Sequence, residues 1–175
     1  MTDSHASLAK KLEERFSNEL THCTTVHDQV TVTVAADDLL SVCKILRDDE
    51  QFAFMQLSDL CGVDYLTYGQ VDWSTKESTS TGFSRGRQDS DQESSHNINE
   101  RFAVVYHLLS IKHNIRLRLR CYMSDEYPRI ASVSGIWGSA DWFEREAFDL
   151  FGILFEGHPD LRRLLTDYGF IGHPF

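Results

Sequence analysis

Long apolar runs are missing from this 175-residue chain. Nothing approaches the ~18 consecutive apolar residues that read as a membrane-spanning helix, and the longest purely apolar stretches, such as Phe102 to Tyr106, have the length of a strand. A membrane, if one matters, is reached through a partner. The opening residues Met1-Thr2-Asp3-Ser4-His5 have no basic segment followed by an apolar one and none of the arginines of a transit peptide, so a cytosolic chain is expected. Positive charge is also short: 17 Lys and Arg face 27 Asp and Glu, for a net charge of −10. Such a chain repels phosphate backbones at long range, which disfavours general nucleic-acid binding. Closely spaced cysteines are absent. Cys23, Cys43, Cys61 and Cys121 lie 20, 18 and 60 positions apart, whereas zinc and iron–sulfur sites bring thiolates in pairs about two to four residues apart. Each is expected to be a buried free thiol in a reducing compartment. The sequence also lacks Gly-x-Gly-x-x-Gly, a Walker-type loop and a nucleophile elbow. Nothing in it is built to hold a dinucleotide, a flavin or a cluster.

What is present suffices for one folded core, since 41% of the residues are hydrophobic. The charge is unevenly placed. Residues 1–100 hold 8 basic and 18 acidic side chains, and residues 101–175 hold 9 of each. Ser4 to Leu20 predicts a helix capped by Ser4 or Ser7, with Leu8, Leu12, Phe16 and Leu20 on its inner side and Lys10, Glu13, Glu14 and Arg15 on its wet side. Val30 to Val34 alternates with period two and predicts a half-buried strand, paired with Thr21 to Val26 through a turn at Asp28-Gln29. Asp37 or Asp38 is expected to cap a second helix carrying Leu39, Leu40, Val42, Cys43, Ile45 and Leu46, and Phe52 to Leu60 to return as a strand, with Cys61 to Tyr65 at a turn or bulge. Residues 74–99 turn to Ser, Thr, Gly, Asp, Glu and Gln with little apolar content, and read as a mobile insert between strands. Phe102 to Leu109 is apolar on both faces, and Ile115 to Met123 alternates strictly. Together they predict an antiparallel hairpin.

In that second strand Arg116, Arg118, Arg120 and Tyr122 share one face. The stripe could meet RNA or phosphate, but an RNA platform also needs interleaved aromatics and only Tyr122 is available. A solvated face, or one paired with the acidic front half, fits better. Farther on, Asp141 and Glu144 suggest a variant capping box and Gly152 a C-terminal stop, so a helix is predicted over Trp142 to Phe151. Phe143, Ala147, Leu150 and Phe151 form its apolar stripe. Its charges, Glu144, Arg145, Glu146 and Asp149, suggest a surface helix with an Arg145–Asp149 pair, while Trp137 and Trp142 beside it hint that something covers it. No His lies within a turn of the carboxylates, so a di-iron site is not supported, and Glu144 and Glu146 diverge around the axis.

Pro159 could open a short helix with Leu161, Leu164, Leu165 and Tyr168 on one face and Gly169 at its end. His158 and His173 each precede a proline and are expected in extended backbone, serving as caps or backbone hydrogen-bonding groups rather than as metal ligands. The rest of the tail is rich in Phe, Tyr, Leu and Ile but has no helical period and no strand partner. Such a segment is poorly suited to folding on itself and reads as an assembly surface laid along another protein. The partner-docking residues assigned here are Glu144, Arg145, Glu146, Asp149, His158, Asp160, Arg162, Arg163, Asp167, Tyr168 and His173. The fold expected is α+β: N-terminal helices on a mixed or antiparallel sheet over residues 1–135, then a surface helix and an extended tail over 136–175.

The run Glu144-Arg145-Glu146-Ala147-Phe148-Asp149-Leu150-Phe151-Gly152-Ile153, the stretch from Gly157-His158-Pro159-Asp160 to Tyr168-Gly169-Phe170, and Gly172-His173-Pro174 strongly resemble the C-subunit family of proton-pumping NADH:quinone oxidoreductase, respiratory complex I. Cys61 to Tyr65, Tyr106 to Ser110 and Arg116-Leu117-Arg118 look like the same family, so the resemblance covers most of the chain from about residue 52. It implies a structural component of the peripheral arm with no cofactor of its own, flavin and iron–sulfur clusters belonging to partner subunits. It also implies a tail wrapping the D subunit of complex I, near the B and I subunits, and a place on the cytoplasmic side of a bacterial inner membrane, the mitochondrial matrix side being the alternative. Two departures stand out: the insert at 74–99 is longer than the family's compact loop, and members continue past Gly-His-Pro into a basic end. The equivalent subunit of a membrane-bound hydrogenase-type complex is a second reading, which neighbouring genes would separate. A stand-alone RNA- or anion-binding module using Arg116, Arg118 and Arg120 is a third.

Overall fold

Period-two alternation and β-branched residues build the centre of the molecule. In the computed structural model, which describes residues 2–66, 68, 71–74, 86–89, 101–123 and 126–175, five strands form a mixed sheet. They are β1 (Leu20–Val26), β2 (Gln29–Val34), β3 (Gln56–Asp64), β6 (Phe102–Ser110) and β7 (Ile115–Met123), in the order β1-β2-β7-β6-β3. Only β2 and β7 run parallel; the other neighbours are antiparallel. Val30, Val32, Val34, Leu117, Leu119, Cys121, Val104, Tyr106 and Leu108 share one face. There they meet Leu8, Leu12 and Phe16 from α1 (Thr2–Arg15) and its end, Leu39, Val42 and Leu46 from α2 (Leu39–Asp48), and Ala140 and Ala147 from α3 (Ala140–Phe151). The helices therefore cover one side of the sheet, an α+β arrangement in two layers.

Local chemistry moves several boundaries from their expected places. α1 stops at Arg15, not Leu20, because Ser17 and Asn18 enter a turn closed by the Leu20 amide on the Phe16 carbonyl at 3.0 Å. Its start at Thr2 puts Ser4 and Ser7 inside the helix and not at its cap. The β1–β2 turn uses His27 and Asp28, both left-handed at φ 50° and 57°, one residue earlier than expected. Two left-handed central residues match the twist of a two-residue hairpin. Ahead of α2, Ala36–Asp38 form a 3-10 turn, and neither Asp37 nor Asp38 makes a side-chain cap.

The strand expected from Phe52 begins at Gln56. Phe52 and Phe54 instead plug the core from a turn whose amides bond back to Asp49 and Leu46, with Phe52 stacked on Phe16 at 5.8 Å. Cys61 to Asp64 belong to β3, and its irregularity lies between Leu57 and Asp59. Since Leu60 and Gly62 point inward, Cys61 points out and is exposed, and Cys23 on the edge strand is half-buried; only Cys43 and Cys121 match the expected burial. Within the expected insert, β5 (Gly86–Asp89) pairs with β4 (Val71–Ser74), and the rest of 74–99 lies outside the described residues.

After the hairpin, β8 (Arg129–Ala131) pairs in parallel with β9 (Leu154–Glu156), so the segment after Gly152 does have a strand partner. This pair brackets α3 and fixes both its ends. Trp137, which leads into α3, is buried and donates its indole N–H to the Phe54 carbonyl at 3.1 Å. Trp137→Phe keeps most of the apolar surface but orphans that carbonyl. A loss of about 1–3 kcal/mol in denaturant unfolding is expected.

Candidate partner-docking site

α3 packs on β3, and the approach is close because position 62 is glycine: a Cβ there would lie 2.7 Å from the Phe151 ring and 3.2 Å from Ile153 Cδ1. Gly152 ends the helix as expected, at φ 74°, with its amide on the Phe148 carbonyl. Its missing side chain also leaves room for the His173 ring, 2.9 Å from where a Cβ would sit.

The helix begins two residues before Trp142, and its N-cap is Ser139, without a side-chain cap. Asp141 thus falls in the first turn, and the expected capping box does not form. Glu144 turns inward, 0% exposed, and accepts the Ser132 hydroxyl at 2.6 Å and the Val133 amide at 2.7 Å. It ties the segment after β8 to the helix. Burial pushes its carboxyl above the ordinary carboxylate value, and the Ser132 and Val133 hydrogen bonds recover part of that cost.

His158 lies beside it with a fully buried ring. Its Nδ1 accepts the Asp160 amide at 3.0 Å, which leaves Nε2 to donate to the Asp141 carbonyl at 3.1 Å, while the Asp141 carboxylate stands 3.2 Å away without a hydrogen bond. The backbone role expected of this histidine is therefore present.

Asp149 carries the largest set of interactions. Though read as part of a wet face, it is 0% exposed. Three consecutive amides, Leu164, Leu165 and Thr166, converge on its Oδ2 at 2.9, 2.6 and 2.8 Å, while the Thr166 hydroxyl and Arg163 Nη1 take Oδ1 at 2.6 and 3.1 Å. Successive backbone N–H groups around one anion form a nest. The nest excludes the short helix expected after Pro159, in which those amides would serve carbonyls of their own turn; the chain here is irregular. Burial raises the Asp149 carboxyl, but the Thr166 hydroxyl and the three amides outweigh it and hold the group well below the usual carboxylate range.

Arg145 makes no pair with Asp149. It is 9% exposed, lies over the Trp142 ring at 5.1 Å and donates Nε to the Arg162 carbonyl at 3.2 Å. Arg163 also reaches the Gly172 carbonyl at 2.7 Å, and His173 donates Nδ1–H to the Asp149 carbonyl at 2.9 Å. Phe175 closes the path, its amide on the Leu150 carbonyl and its ring 5.2 Å from Phe151. The tail expected to need a partner's groove thus folds back along its own helix, and this cover explains how charged residues on α3 are buried.

The assigned docking residues separate accordingly. Arg145, Asp149, His158, Arg163 and His173 hold the tail against α3, Glu144 holds the segment after β8, and Glu146 is half-buried. Asp160, Arg162, Asp167 and Tyr168 face outward. With them stand Leu165, Phe170, Ile171 and Phe175, Ile171 being 95% exposed. The Arg162–Asp160 pair at 2.9 Å is solvent-exposed and contributes about 0–1 kcal/mol. Ser132 and Thr166, essential to this geometry, had no signal in the sequence, since each lies 12 or 17 positions from its carboxylate. Among the described residues no group of three His, Cys, Asp or Glu could hold a metal ion.

The two buried carboxylates act in opposite directions with pH. Asp149, held below its ordinary value of 3.8, contributes stability that is present above that value and lost as pH falls through its depressed one. Glu144, raised above 4.5, contributes stability that is full below 4.5 and lost as pH rises through the raised value. Unfolding curves should therefore show the advantage of the wild type over Asp149→Asn shrinking as pH drops below about 4, and its standing relative to Glu144→Gln declining as pH rises.

A family model described as the respiratory-chain NADH dehydrogenase, 30 Kd subunit, matches residues 32–175. The chain is 54% identical over 170 residues to the C subunit of the NADH-quinone oxidoreductase of Coxiella burnetii (strain Dugway 5J108-111), covering 97% of this chain and 75% of that protein. It is 53% identical over 168 residues to the corresponding C subunit of Legionella pneumophila (strain Paris), covering 96% and 74%. Among solved structures, a trypsin-resistant fragment of Nqo5 is similar with a TM-score of 0.61 and 31% identity, covering 88% of this chain and 98% of the fragment. A chain of the membrane-bound sulfane sulfur reductase, an archaeal respiratory membrane complex, shares the fold with a TM-score of 0.64 at 16% identity, over 94% of this chain and 78% of that one.

Proposed function

The chain belongs to the respiratory-chain NADH dehydrogenase 30 Kd subunit family, and from that premise we propose that it is a scaffold of the peripheral arm of an NADH-quinone oxidoreductase, holding other subunits while they pass electrons to quinone. Residues 1–135 carry the sheet and residues 136–175 the docking surface. The observation that carries this reading is the tail: its amides at 164–166 and the Arg163 side chain are satisfied inward on α3, while Leu165, Tyr168, Ile171 and Phe175 stand in solvent. Exposed apolar groups on a backbone already held in place are suited to bury area against a partner with little further ordering cost.

In this reading the chain binds no cofactor and performs no redox step of its own; flavin and iron–sulfur clusters reside in partner subunits. Its tail engages the D subunit of complex I, with the B and I subunits close by, on the cytoplasmic side of a bacterial inner membrane. No helix among the described residues is long and apolar enough to cross a membrane.

The test is a tag on the chain at its native locus, gentle detergent extraction, and mass spectrometry of everything retained. Co-retained NADH-quinone oxidoreductase subunits are the expected result; a chain that runs only as a free monomer contradicts the proposal. A second expectation follows from exposure. Arg162→Ala and Asp167→Ala change surface groups, so each should move the stability of the isolated chain by only about 0.5 kcal/mol. Recovery of assembled complex should fall several-fold, and an equal effect on both readouts would count against docking.

A further inference from the structure

The side of the sheet facing away from the helices has its own chemistry. Its middle strand, β7, presents Arg116, Arg118 and Arg120 there, at every second residue and so about 6.8 Å apart. Arg116 is exposed and the other two are half-buried. Among the described residues neither Arg116 nor Arg118 makes a hydrogen bond or an ion pair. Arg120 has only a 3.5 Å contact with the Thr33 hydroxyl and the Tyr122 ring beneath it at 4.8 Å, and its Nε is buried without a partner.

Among the described residues, counter-charge on this face is sparse, and Asp59, on β3 opposite His107, is the carboxylate in register with it. His107 is held below its usual value by burial and then by Arg118, with Asp59 opposing, so it adds no further positive charge near neutral pH. Thr31, Cys61, Val63, Val105, Arg118 and Arg120 line one depression of the face. A chain of net charge −10 thus keeps three under-used guanidinium groups in a row over a shallow floor of small side chains.

We propose that this open face docks an acidic segment of a neighbouring polypeptide in the assembly, whose Asp and Glu carboxylates take the guanidinium groups of Arg116, Arg118 and Arg120. The proposal rests on the scaffold reading above but concerns a surface separate from the tail. A carboxylate matches the planar fork of arginine with two parallel hydrogen bonds, and burying an arginine stripe without such partners leaves charge desolvated and uncompensated. A protein segment fits better than RNA. The aromatic of the stripe, Tyr122, is already packed on Tyr65 at 5.7 Å and covered by Arg120, so it offers no free ring for a base.

The test uses the assembled complex. Arg118→Lys keeps the charge and the fold while supplying an amine, and carbodiimide coupling of the complex should join that amine to an Asp or Glu of a different chain. Coupling to carboxylates of the same chain alone, or none, overturns the proposal. A second variant, Arg116→Gln with Arg118→Gln, should melt like the wild type as the isolated full chain and be retained in the complex at least tenfold less as salt is raised. Retention equal to the wild type at every salt concentration overturns the proposal. So does RNA binding by the isolated wild-type chain that the double variant loses, which would assign the stripe to nucleic acid. If the wild-type chain itself is retained by no assembly, the scaffold reading fails and this inference with it; failure of the variants' expectations alone leaves that reading standing.

Discussion

Asp149→Ala is expected to free the C-terminal tail. The substitution removes the acceptor of three amides, one hydroxyl and one guanidinium at once. Neutral hydrogen bonds contribute about 1 kcal/mol each and charge-assisted ones about 1.5–3 kcal/mol, but the released groups lie near solvent and can be hydrated. The loss therefore falls on the tail's attachment, about 3–5 kcal/mol, and less on the sheet. At about 1.4 kcal/mol per factor of ten, the amides of Leu164, Leu165 and Thr166 should exchange hydrogen at least a hundredfold faster, with the amides of β6 and β7 little changed. Unchanged protection at 164–166 would remove Asp149 from its central place. Asp149→Asn, which keeps one acceptor oxygen, should lie between the two.

Gly62→Val is expected to have the second large effect, through the opposite fault. Glycine inside a strand costs about 0.5–1 kcal/mol against alanine, so its presence in β3 needs a reason, and the Phe151 ring 2.7 Å from a would-be Cβ supplies one. A valine gains back that backbone entropy but must push Phe151 and Ile153 away, and overpacking of this kind costs about 1–3 kcal/mol or more. Thermal unfolding should show a net loss of about 2 kcal/mol. Because Phe151 also stacks on Phe175, the displaced helix should carry the tail with it, so recovery of assembled complex should fall further than stability alone accounts for. A variant as stable as the wild type would mean that α3 can slide on the sheet.

The elements that could be read in advance are those whose information is local. Val30 to Val34 and Ile115 to Met123 announce themselves by alternation, α2 by its apolar stripe and Gly152 by the stop it makes. The candidate docking site was only half legible. The charged helix and the aromatic tail could be picked out from the residues themselves, but the way they pack together could not. Glu144, Arg145 and Asp149 carry charge at positions that a periodic reading assigns to solvent, and their partners lie 11 to 17 residues away, in the segment before α3 and in the tail after it, neither with a hydrophobic period of its own. Likewise β8 and β9, three residues each, are too short to alternate visibly. The helix expected after Pro159 failed for a related reason: its amphipathic spacing was present, but a buried carboxylate claims the amides that such a helix would use internally.

Helix α3 holds the tail in place within the free chain so that its outer side meets partners, and hydrogen exchange measured on the free chain and on the assembled complex reads both halves of that arrangement. The amides of Leu164, Leu165 and Thr166 should already be protected in the free chain, and those of Tyr168, Gly169, Ile171 and Gly172 should become protected only on assembly. A free chain that exchanges at 164–166 as fast as an unfolded peptide, or a complex in which Tyr168, Gly169, Ile171 and Gly172 exchange as they do in the free chain, would contradict it.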